Sequence, residues 1–107
     1  MIVRIWRGRA SPEHADAYQT HVVTKVFPKL LGIDGYGGGR VLRRAMAEGV
    51  EFLVVTEWAS LNAVRAFAGE DPDVAVIEPE ARALLAHADE HVRHFEIAYE
   101  SSVLRDR

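Results

Sequence analysis

Residues 50–58 have the sequence VEFLVVTEW, which is rich in β-branched and aromatic side chains and is therefore typical of a β-strand. A second predicted strand covers residues 36–46, and Ala47, Glu48 and Gly49 form the turn between the two. Two strands joined by so short a turn predict an antiparallel hairpin. This hairpin lies in the middle of the chain, and the other predicted elements flank it on both sides.

The elements before the hairpin are a strand and a helix. Residues 2–9 are apolar enough for a strand, and we expect Ser11 to cap a helix whose first residue is Pro12. Apolar residues then recur at helical spacing over residues 15–30. Pro28 is expected to kink or end this helix, because it has no N–H and its ring clashes with the preceding turn.

The elements after the hairpin repeat that order. Ser60 is expected to cap a helix over residues 61–68, a further helical segment begins at Pro79 and includes Ala88, and residues 91–100 are predicted as the last strand. The order is therefore β-α-β-β-α-β. It predicts an α+β fold of the ferredoxin-like kind, with an antiparallel sheet and helices on one face.

Both faces of this predicted sheet are apolar. On the third strand Phe52, Val54, Thr56 and Trp58 point one way, while Leu53 and Val55 point the other. A sheet with one wet face alternates more cleanly, and the sequence offers no further helix to cover the second face. We therefore predict a homodimer in which two sheets pack face to face as a dimeric α+β barrel. Trp6 lies either in that interface, which we favour, or in the wall of a pocket.

Composition limits the class of protein. The chain has 107 residues, which predicts one domain over residues 1–100 and a polar tail over residues 101–107. A net charge of −3 argues against binding to nucleic acid or to an anionic membrane, and the absence of cysteine excludes disulfides and zinc–sulfur sites. Residues 1–7 carry charge within their apolar run, unlike a signal peptide, and no stretch approaches the roughly 20 apolar residues of a membrane span. We therefore expect a cytoplasmic protein.

Several short stretches carry a resemblance to a known family. They are Trp58 with Ser60 and Leu61, residues 66–69 (AFAG), residues 79–81 (PEA) and residues 94–96 (HFE). Through them the chain, from Ile2 to Tyr99, resembles the antibiotic biosynthesis monooxygenase family of the dimeric α+β barrel superfamily. The resemblance implies an oxygenase that uses neither metal nor flavin on electron-rich aromatic substrates. Other members of that family oxidise quinols, degrade haem or have no known activity.

The sequence also departs from the family at positions counted from Trp58. Oxygenases of the polyketide branch carry an Asn four residues earlier and a Tyr six residues later, where this chain has Val54 and Val64. Haem-degrading members carry a Trp nine residues later and a His ten residues beyond that, where this chain has Phe67 and Ile77. Ile77 cannot ligate iron, so haem degradation is not expected. A polyketide-type mechanism would lack two of its polar groups.

Two histidines are predicted to be catalytic. His94 lies in the middle of a strand, where a neutral imidazole can act as a base near pH 7. The alternative is a buried histidine whose ring nitrogens are satisfied by neighbours. His21 follows Tyr18 by three positions on one face of a helix, so both side chains line a cavity if that face turns to the sheet. The alternative for His21 is a place on the surface of the helix.

The predicted substrate-binding residues are aromatic or basic. Trp58, Phe67 and Tyr18 are candidates for the wall of a pocket, although Trp58 would serve equally well in the core. Arg4 lies in an apolar strand, where it either pairs with an acidic residue, Glu57 or Glu96, or holds an anionic substrate.

No metal site and no cofactor are predicted. His87, His91 and His94 are close in sequence, but His91 and His94 are three apart on a strand and so point to opposite faces. The sequence thus predicts a cofactor-independent monooxygenase that acts with O₂ on a small aromatic or quinol-like substrate. The alternative is a non-catalytic dimer that binds a small hydrophobic ligand or serves a pathway as an accessory protein.

Overall fold

A long antiparallel hairpin forms one side of the sheet in the computed structural model, which describes residues 1–103. Strands β2 (Tyr36–Met46) and β3 (Gly49–Trp58) pair along their whole length, as predicted. Gly49 ends the turn with a φ of 128°, and a Cβ built there would lie 2.4 Å from the carbonyl oxygen of Ala10. The turn therefore requires glycine both for its backbone angle and for close passage of the neighbouring strand.

The rest of the sheet is built on a central strand. β1 (Ile2–Ala10) pairs with β3 on one side and with two short strands, β4 (Leu85–Ala88) and β5 (Arg93–Glu96), on the other. All pairs are antiparallel, and the strand order is β2-β3-β1-β4 with β5 also on β1. The predicted ferredoxin-like α+β fold is confirmed.

The predicted last strand, residues 91–100, was too long, because β5 covers only Arg93–Glu96. Residues 91–100 do not form one strand, because the backbone before β5 pairs with a loop instead of with β1. The N–H of Val92 donates to the carbonyl oxygen of Asp73 (2.8 Å), and that of Ala75 donates to Glu90 (2.9 Å). His91 makes only an isolated bridge with Val74. The loop therefore takes the hydrogen bonds that would otherwise extend the strand.

The first helical region is one run with a widened middle. Helix α1 (Ala15–His21) continues through π-helical turns at Val22–Val26 into α2 (Phe27–Leu30). Pro28 lies directly after the wide turns, and the run ends two residues later, in agreement with the expected disturbance.

The predicted start of this helical run was wrong. The N-cap is His14, whose side chain makes no capping hydrogen bond, and Ser11 opens a turn that precedes the helix. The turn closes through the backbone, where the N–H of His14 donates to the carbonyl oxygen of Ser11 (3.0 Å). The hydroxyl of Ser11 is buried without a hydrogen-bond partner in the described part of the chain.

The second helical region agrees better with the sequence. Helix α3 (Leu61–Ala68) begins at Ser60, whose hydroxyl accepts from the N–H of Ala63 (3.2 Å), so the predicted cap is confirmed. Helix α4 (Pro79–Leu84) begins at the predicted proline. It ends before Ala88, which was expected in the helix and lies in β4.

The helices cover one face of the sheet, where two hydrophobic clusters form. Trp6, Tyr18 and Phe52 lie in the larger cluster, and Trp58 lies in the smaller one. The placement of Trp6 in an interface was therefore wrong, because it is 7% exposed and faces the helices. None of the described helices has the length and apolar character that crossing a bilayer requires.

The opposite face of the sheet carries apolar side chains that no helix of the described residues covers. They are Val3, Ile5, Leu42, Leu53, Val55 and Phe95, of which Phe95 is 50% exposed. The predicted domain of residues 1–100 lies within the described chain. Of the predicted tail, residues 104–107 lie outside the described residues.

Candidate functional site

A cavity lies between the helix-facing side of the sheet and the first helical run. It contains about 580 Å³ of atom-free space, including a part that is open to solvent, and its inner part is narrow. Its walls are mostly apolar or aromatic, and include Trp6, Tyr18, Val22, Phe27, Val54 and Phe67. Four polar side chains also reach it: Arg4, His21, Thr56 and Glu78. A narrow apolar cavity with a few polar groups is typical of a site for a small flat molecule.

Arg4 brings a positive charge to the sheet side of the cavity. It is 6% exposed, and its Nη2 donates to the carbonyl oxygen of Val74 (2.9 Å). Its guanidinium carbon lies 5.4 Å from the centre of the Phe67 ring, which is within the range of a cation–π contact. Burial lowers the pKa of Arg4 to about 10, although the charge of Asp73 acts in the opposite direction. The group remains charged at neutral pH.

The expected partners of Arg4 do not bind it. Neither Glu57 nor Glu96 forms an ion pair with it, and no carboxylate oxygen within residues 1–103 lies within 4 Å of its guanidinium nitrogens. Its Nε is buried without a hydrogen-bond partner. Of the two alternatives considered for Arg4, pairing with an acidic residue was therefore wrong.

His21 lies on the helix side of the cavity and is 8% exposed, so its place is not on the helix surface. Its Nε2 lies 3.2 Å from Oε1 of Glu78, but without the geometry of a hydrogen bond, and the nitrogen has no other partner. Lys29 binds the other oxygen of Glu78. That hydrogen bond and the neighbouring charges of Lys29 and His21 hold the pKa of Glu78 below its usual value, although partial burial opposes them.

The same corner contains the group of side chains within the described chain that is best arranged for a metal ion. His21, Glu78 and Glu80 offer ligand atoms that lie within 4.8 Å of one another. Glu80 is exposed, and Lys29 already compensates the charge of Glu78. A cation would therefore have to displace an ammonium group before it could use both carboxylates.

Tyr18 and Trp6 form an aromatic wall above the sheet. The ring of Tyr18 lies 6.0 Å from that of Trp6 and 4.9 Å from that of Phe52, in the second case edge to face. Burial raises the pKa of Tyr18, so its hydroxyl stays protonated at neutral pH and can donate a hydrogen bond. The Nε1 of Trp6 donates to the carbonyl oxygen of Asp89 (2.8 Å), which fixes the position of its indole.

Trp58 is placed in the core behind the cavity. It is 0% exposed, its Nε1 donates to the hydroxyl of Thr56 (2.8 Å), and it does not line the cavity. Its ring stacks at 6.0 Å on Phe67, which does line the cavity. Of the two roles considered for Trp58, the structure favours the core, where it supports the wall formed by Phe67 and Thr56.

His94 also lies behind the cavity and does not line it. It is paired with Arg4 across the two strands, and its Nδ1 lies 3.0 Å from Oδ1 of Asp73. Its Nε2 is buried and makes no hydrogen bond to the described residues. His94 therefore holds the loop at Asp73, whose neighbour Val74 binds Arg4, and it does not come together with His21.

The cavity wall includes two polar residues, Thr56 and Glu78, that the sequence analysis did not name as site residues. Thr56 was placed on the correct face of β3 by its alternation with Val54 and Trp58, so a signal for it was present. Glu78 lies in a stretch without periodicity, just before α4, and nothing in the sequence indicated it.

The cavity also shows the effect of the departures from the family, since Val54 and Ile77 line it and Val64 is fully buried away from it.

Solved structures share this architecture at low sequence identity. A candidate antibiotic biosynthesis monooxygenase from Bacillus cereus has a TM-score of 0.69 at 11% identity, and the match covers 98% of both chains. A monooxygenase of Streptomyces coelicolor in complex with nanaomycin D has a TM-score of 0.60 at 15% identity, over 98% of this chain and 92% of that one. The haem degrader MhuD of Mycobacterium tuberculosis, with two haems in its active site, has a TM-score of 0.61 at 21% identity, over 95% of this chain and all (100%) of that one.

No protein-family model matches the sequence, and no curated protein sequence matches it. The structural matches at 11–21% identity therefore establish the fold, over nearly the full length of the chain. The chain has the fold of structures described as antibiotic biosynthesis monooxygenases, the family that its sequence resembles.

Proposed function

We propose that this protein is a monooxygenase that acts with O₂ on a small aromatic or quinol-like substrate and needs no cofactor. The observation that supports this most is the cavity itself, where an aromatic wall, a buried cation at Arg4 and an imidazole at His21 face the same narrow space. The named activities of structures with this fold agree with the proposal.

The reaction class follows from the chemistry of such a substrate. A ring methylene next to conjugated carbonyl or hydroxyl groups loses a proton to give a stabilised anion, which can transfer an electron to O₂. Conversion of CH₂ to C=O breaks two C–H bonds, forms one C=O bond and releases the second oxygen atom as water. The substrate supplies all four electrons, so no external reductant is consumed. For a quinol the same balance holds when one ring C–H becomes C–OH and the ring is oxidised to the quinone, with the second oxygen atom again released as water.

His21 is the residue we propose as the base. Its side chain lines the cavity and is buried, and its Nε2 lies 3.2 Å from Oε1 of Glu78, so a proton that the imidazole takes from the substrate would be held next to a carboxylate. His94, predicted from the sequence as the first choice, does not line the cavity, and its Nδ1 contacts Asp73. We propose that it positions the loop from Asp73 to Val74 and does not touch the substrate.

Oxygen uptake tests the reaction and the two histidines together. The purified protein is mixed with reduced quinols and anthrone-like aromatics, with a chelator present and no added cofactor. We expect uptake above autoxidation, reduced by roughly 10²-fold or more in His21→Ala and by less than about tenfold in His94→Ala. His87→Ala serves as a matched control, because His87 is exposed and pairs with Asp89 outside the cavity. A loss in His94→Ala as large as that in His21→Ala would return the role of base to His94.

A non-catalytic protein that binds a small hydrophobic ligand, or serves as a pathway accessory, is the second candidate. It is supported by Val54, which lines the cavity where polyketide-type oxygenases carry a polar side chain. Saturable binding of the same aromatics without oxygen uptake by any of them would favour this function over the first.

We also propose that the protein is a homodimer that pairs through the open face of its sheet. That face carries Val3, Ile5, Leu53 and Val55 at its centre, and its apolar side chains are more extensive than a solvated sheet face needs. Light scattering is expected to give twice the chain mass at micromolar concentration. Val55→Glu, which places a charge at the centre of the face, should give a monomer, and a wild-type monomer would contradict the proposal.

A further inference from the structure

Arg4 is a buried charge whose surroundings do not balance it. Its guanidinium is bound by one carbonyl oxygen, that of Val74, and lies against the ring of Phe67. Its Nε has no acceptor among the described residues, and the nearest acidic influence is Asp73, whose carboxylate is beyond ion-pair distance and is bound to His94.

A buried guanidinium without an ion pair is unfavourable when the cavity beside it holds no ligand. Removing a cation from water costs several kcal/mol unless a counter-charge and hydrogen bonds replace the solvent. The other charged side chain on the cavity wall, Glu78, is already compensated by Lys29. Within the described chain, Arg4 therefore carries a positive charge on the cavity wall that no ion pair neutralises and that only the more distant Asp73 offsets.

We propose that the cavity selects planar aromatic anions, and that Arg4 binds the charged oxygen of a phenolate or enolate while the ring lies along Phe67 and Trp6. This rests on the proposed function and specifies its substrate class. A guanidinium offers several N–H donors in one plane, so it can bind the oxygen of a flat conjugated ring while it stays over the ring of Phe67. A neutral ring of the same shape can offer Arg4 an oxygen acceptor but no counter-charge.

Two ligands of nearly equal shape, one anionic and one neutral, show how much the charge of a ligand contributes to its binding. We choose 2-hydroxy-1,4-naphthoquinone, which is ionised at neutral pH, and its neutral 2-methoxy ether, neither of which needs to react with O₂ in order to bind. Equilibrium dialysis at pH 7.5 gives both dissociation constants. We expect the wild-type protein to bind the anion roughly 10–100-fold more tightly, which is the range of a charge-assisted hydrogen bond in a buried site.

Variants of Arg4 test whether this residue causes the preference for the anion over the neutral ether. In Arg4→Gln the dissociation constants of the two ligands are expected to differ by no more than about threefold, while the affinity for the neutral ether changes little. Arg4→Lys keeps the charge and should retain part of the preference, so it distinguishes loss of charge from loss of structure. Arg43→Gln is the matched control, since Arg43 lies 5.2 Å from the Phe52 ring but pairs with Asp16 and does not line the cavity.

Each outcome bears on the inference. Equal binding of the two ligands by the wild-type protein, or an unchanged preference in Arg4→Gln, overturns the selection of anions and leaves the proposed monooxygenase function intact. A preference that depends on Arg4, in a protein that takes up no oxygen, supports the inference and contradicts the monooxygenase function. If neither ligand binds, the selection of planar aromatic anions is overturned, and oxygen uptake with the substrate panel decides the monooxygenase function separately.

Discussion

Substitution of Gly8 by alanine tests the arrangement of the cavity wall directly. Gly8 lies two residues after Trp6 on β1, and the indole of Trp6 folds over it. A Cβ built at Gly8 would lie 2.2 Å from Cη2 and 2.8 Å from Cζ2 of that ring. Carbon atoms cannot approach so closely, and Trp6 is 7% exposed and held by its hydrogen bond to Asp89, so it cannot turn aside freely.

The size of the effect follows from two opposing contributions. Overpacking of a core costs about 1–3 kcal/mol, and the contact with a buried ring places Gly8→Ala in the upper part of that range. Alanine also restricts the unfolded chain, which offsets about 0.4–1 kcal/mol. We therefore expect the free energy of unfolding to fall by about 1–2 kcal/mol. For 107 residues this corresponds to a Tm lower by about 4–8 °C.

Thermal unfolding followed by circular dichroism measures the change, and tryptophan emission reports the displaced indole. Gly32→Ala is the control, because a Cβ at the exposed Gly32 meets nothing within 4 Å and should leave the Tm unchanged or raise it slightly. The displaced ring should also narrow the cavity and weaken binding of the naphthoquinone anion. If Gly8→Ala is as stable as the wild-type protein and emits in the same way, the indole does not lie over Gly8.

Three further substitutions test interactions around the site. Thr56→Val leaves the buried N–H of Trp58 without its acceptor, so we expect a loss of about 1–3 kcal/mol in unfolding free energy by chemical denaturation, whereas Thr56→Ser should retain the hydrogen bond. Ser60→Ala removes the side-chain cap of α3 and should cost about 1 kcal/mol by the same assay, and no change would mean that the cap is not used. The hydrogen bond from Lys29 depresses the pKa of Glu78 in the folded state, so its stabilisation is present above the unfolded-state pKa of Glu78 and is lost as the pH falls through the folded-state value. Tm values of wild-type protein and Lys29→Gln measured from pH 7 to pH 3 should therefore converge at the acid end, and a constant difference would contradict this.

The elements that local sequence could predict are those whose hydrogen bonds are local. The hairpin of residues 36–58 and the cap at Ser60 depend on neighbours in the chain, and both are confirmed. The last strand was predicted to begin too early because the backbone at Glu90 to Val92 bonds to a loop about twenty residues earlier, at Asp73 to Ala75, and no periodicity indicates that pairing. Ser11 has the composition of a cap, but the chain makes a turn first, and the helix begins later.

The candidate site shows the same limit. Alternation along a strand gives the residues of that strand that share a face, and it grouped Thr56 with Phe52, Val54 and Trp58 in the way the structure has them. It does not give the distance of a side chain from a cavity, and so it could not separate Arg4, which lines the cavity, from His94, which is paired with Arg4 but lies behind it. Trp6 was assigned to the wrong layer because the sequence does not show that Gly8 makes room for its ring on the helix side.

Arg4 and His21, which both line the cavity, fit one chemical task together better than either would alone. Removal of a proton from a carbon or a phenol by an imidazole is unfavourable when the resulting anion has no partner in an apolar cavity. In the proposed reaction, a fixed cation at Arg4 would stabilise that anion and lower the pKa of the bound acid, which makes proton transfer to His21 less unfavourable. The apolar wall at Val54 strengthens this attraction, since no polar side chain there competes with Arg4 for the substrate oxygen. In this protein the missing polar groups of the family pattern are therefore compatible with catalysis, provided that the substrate binds as an anion.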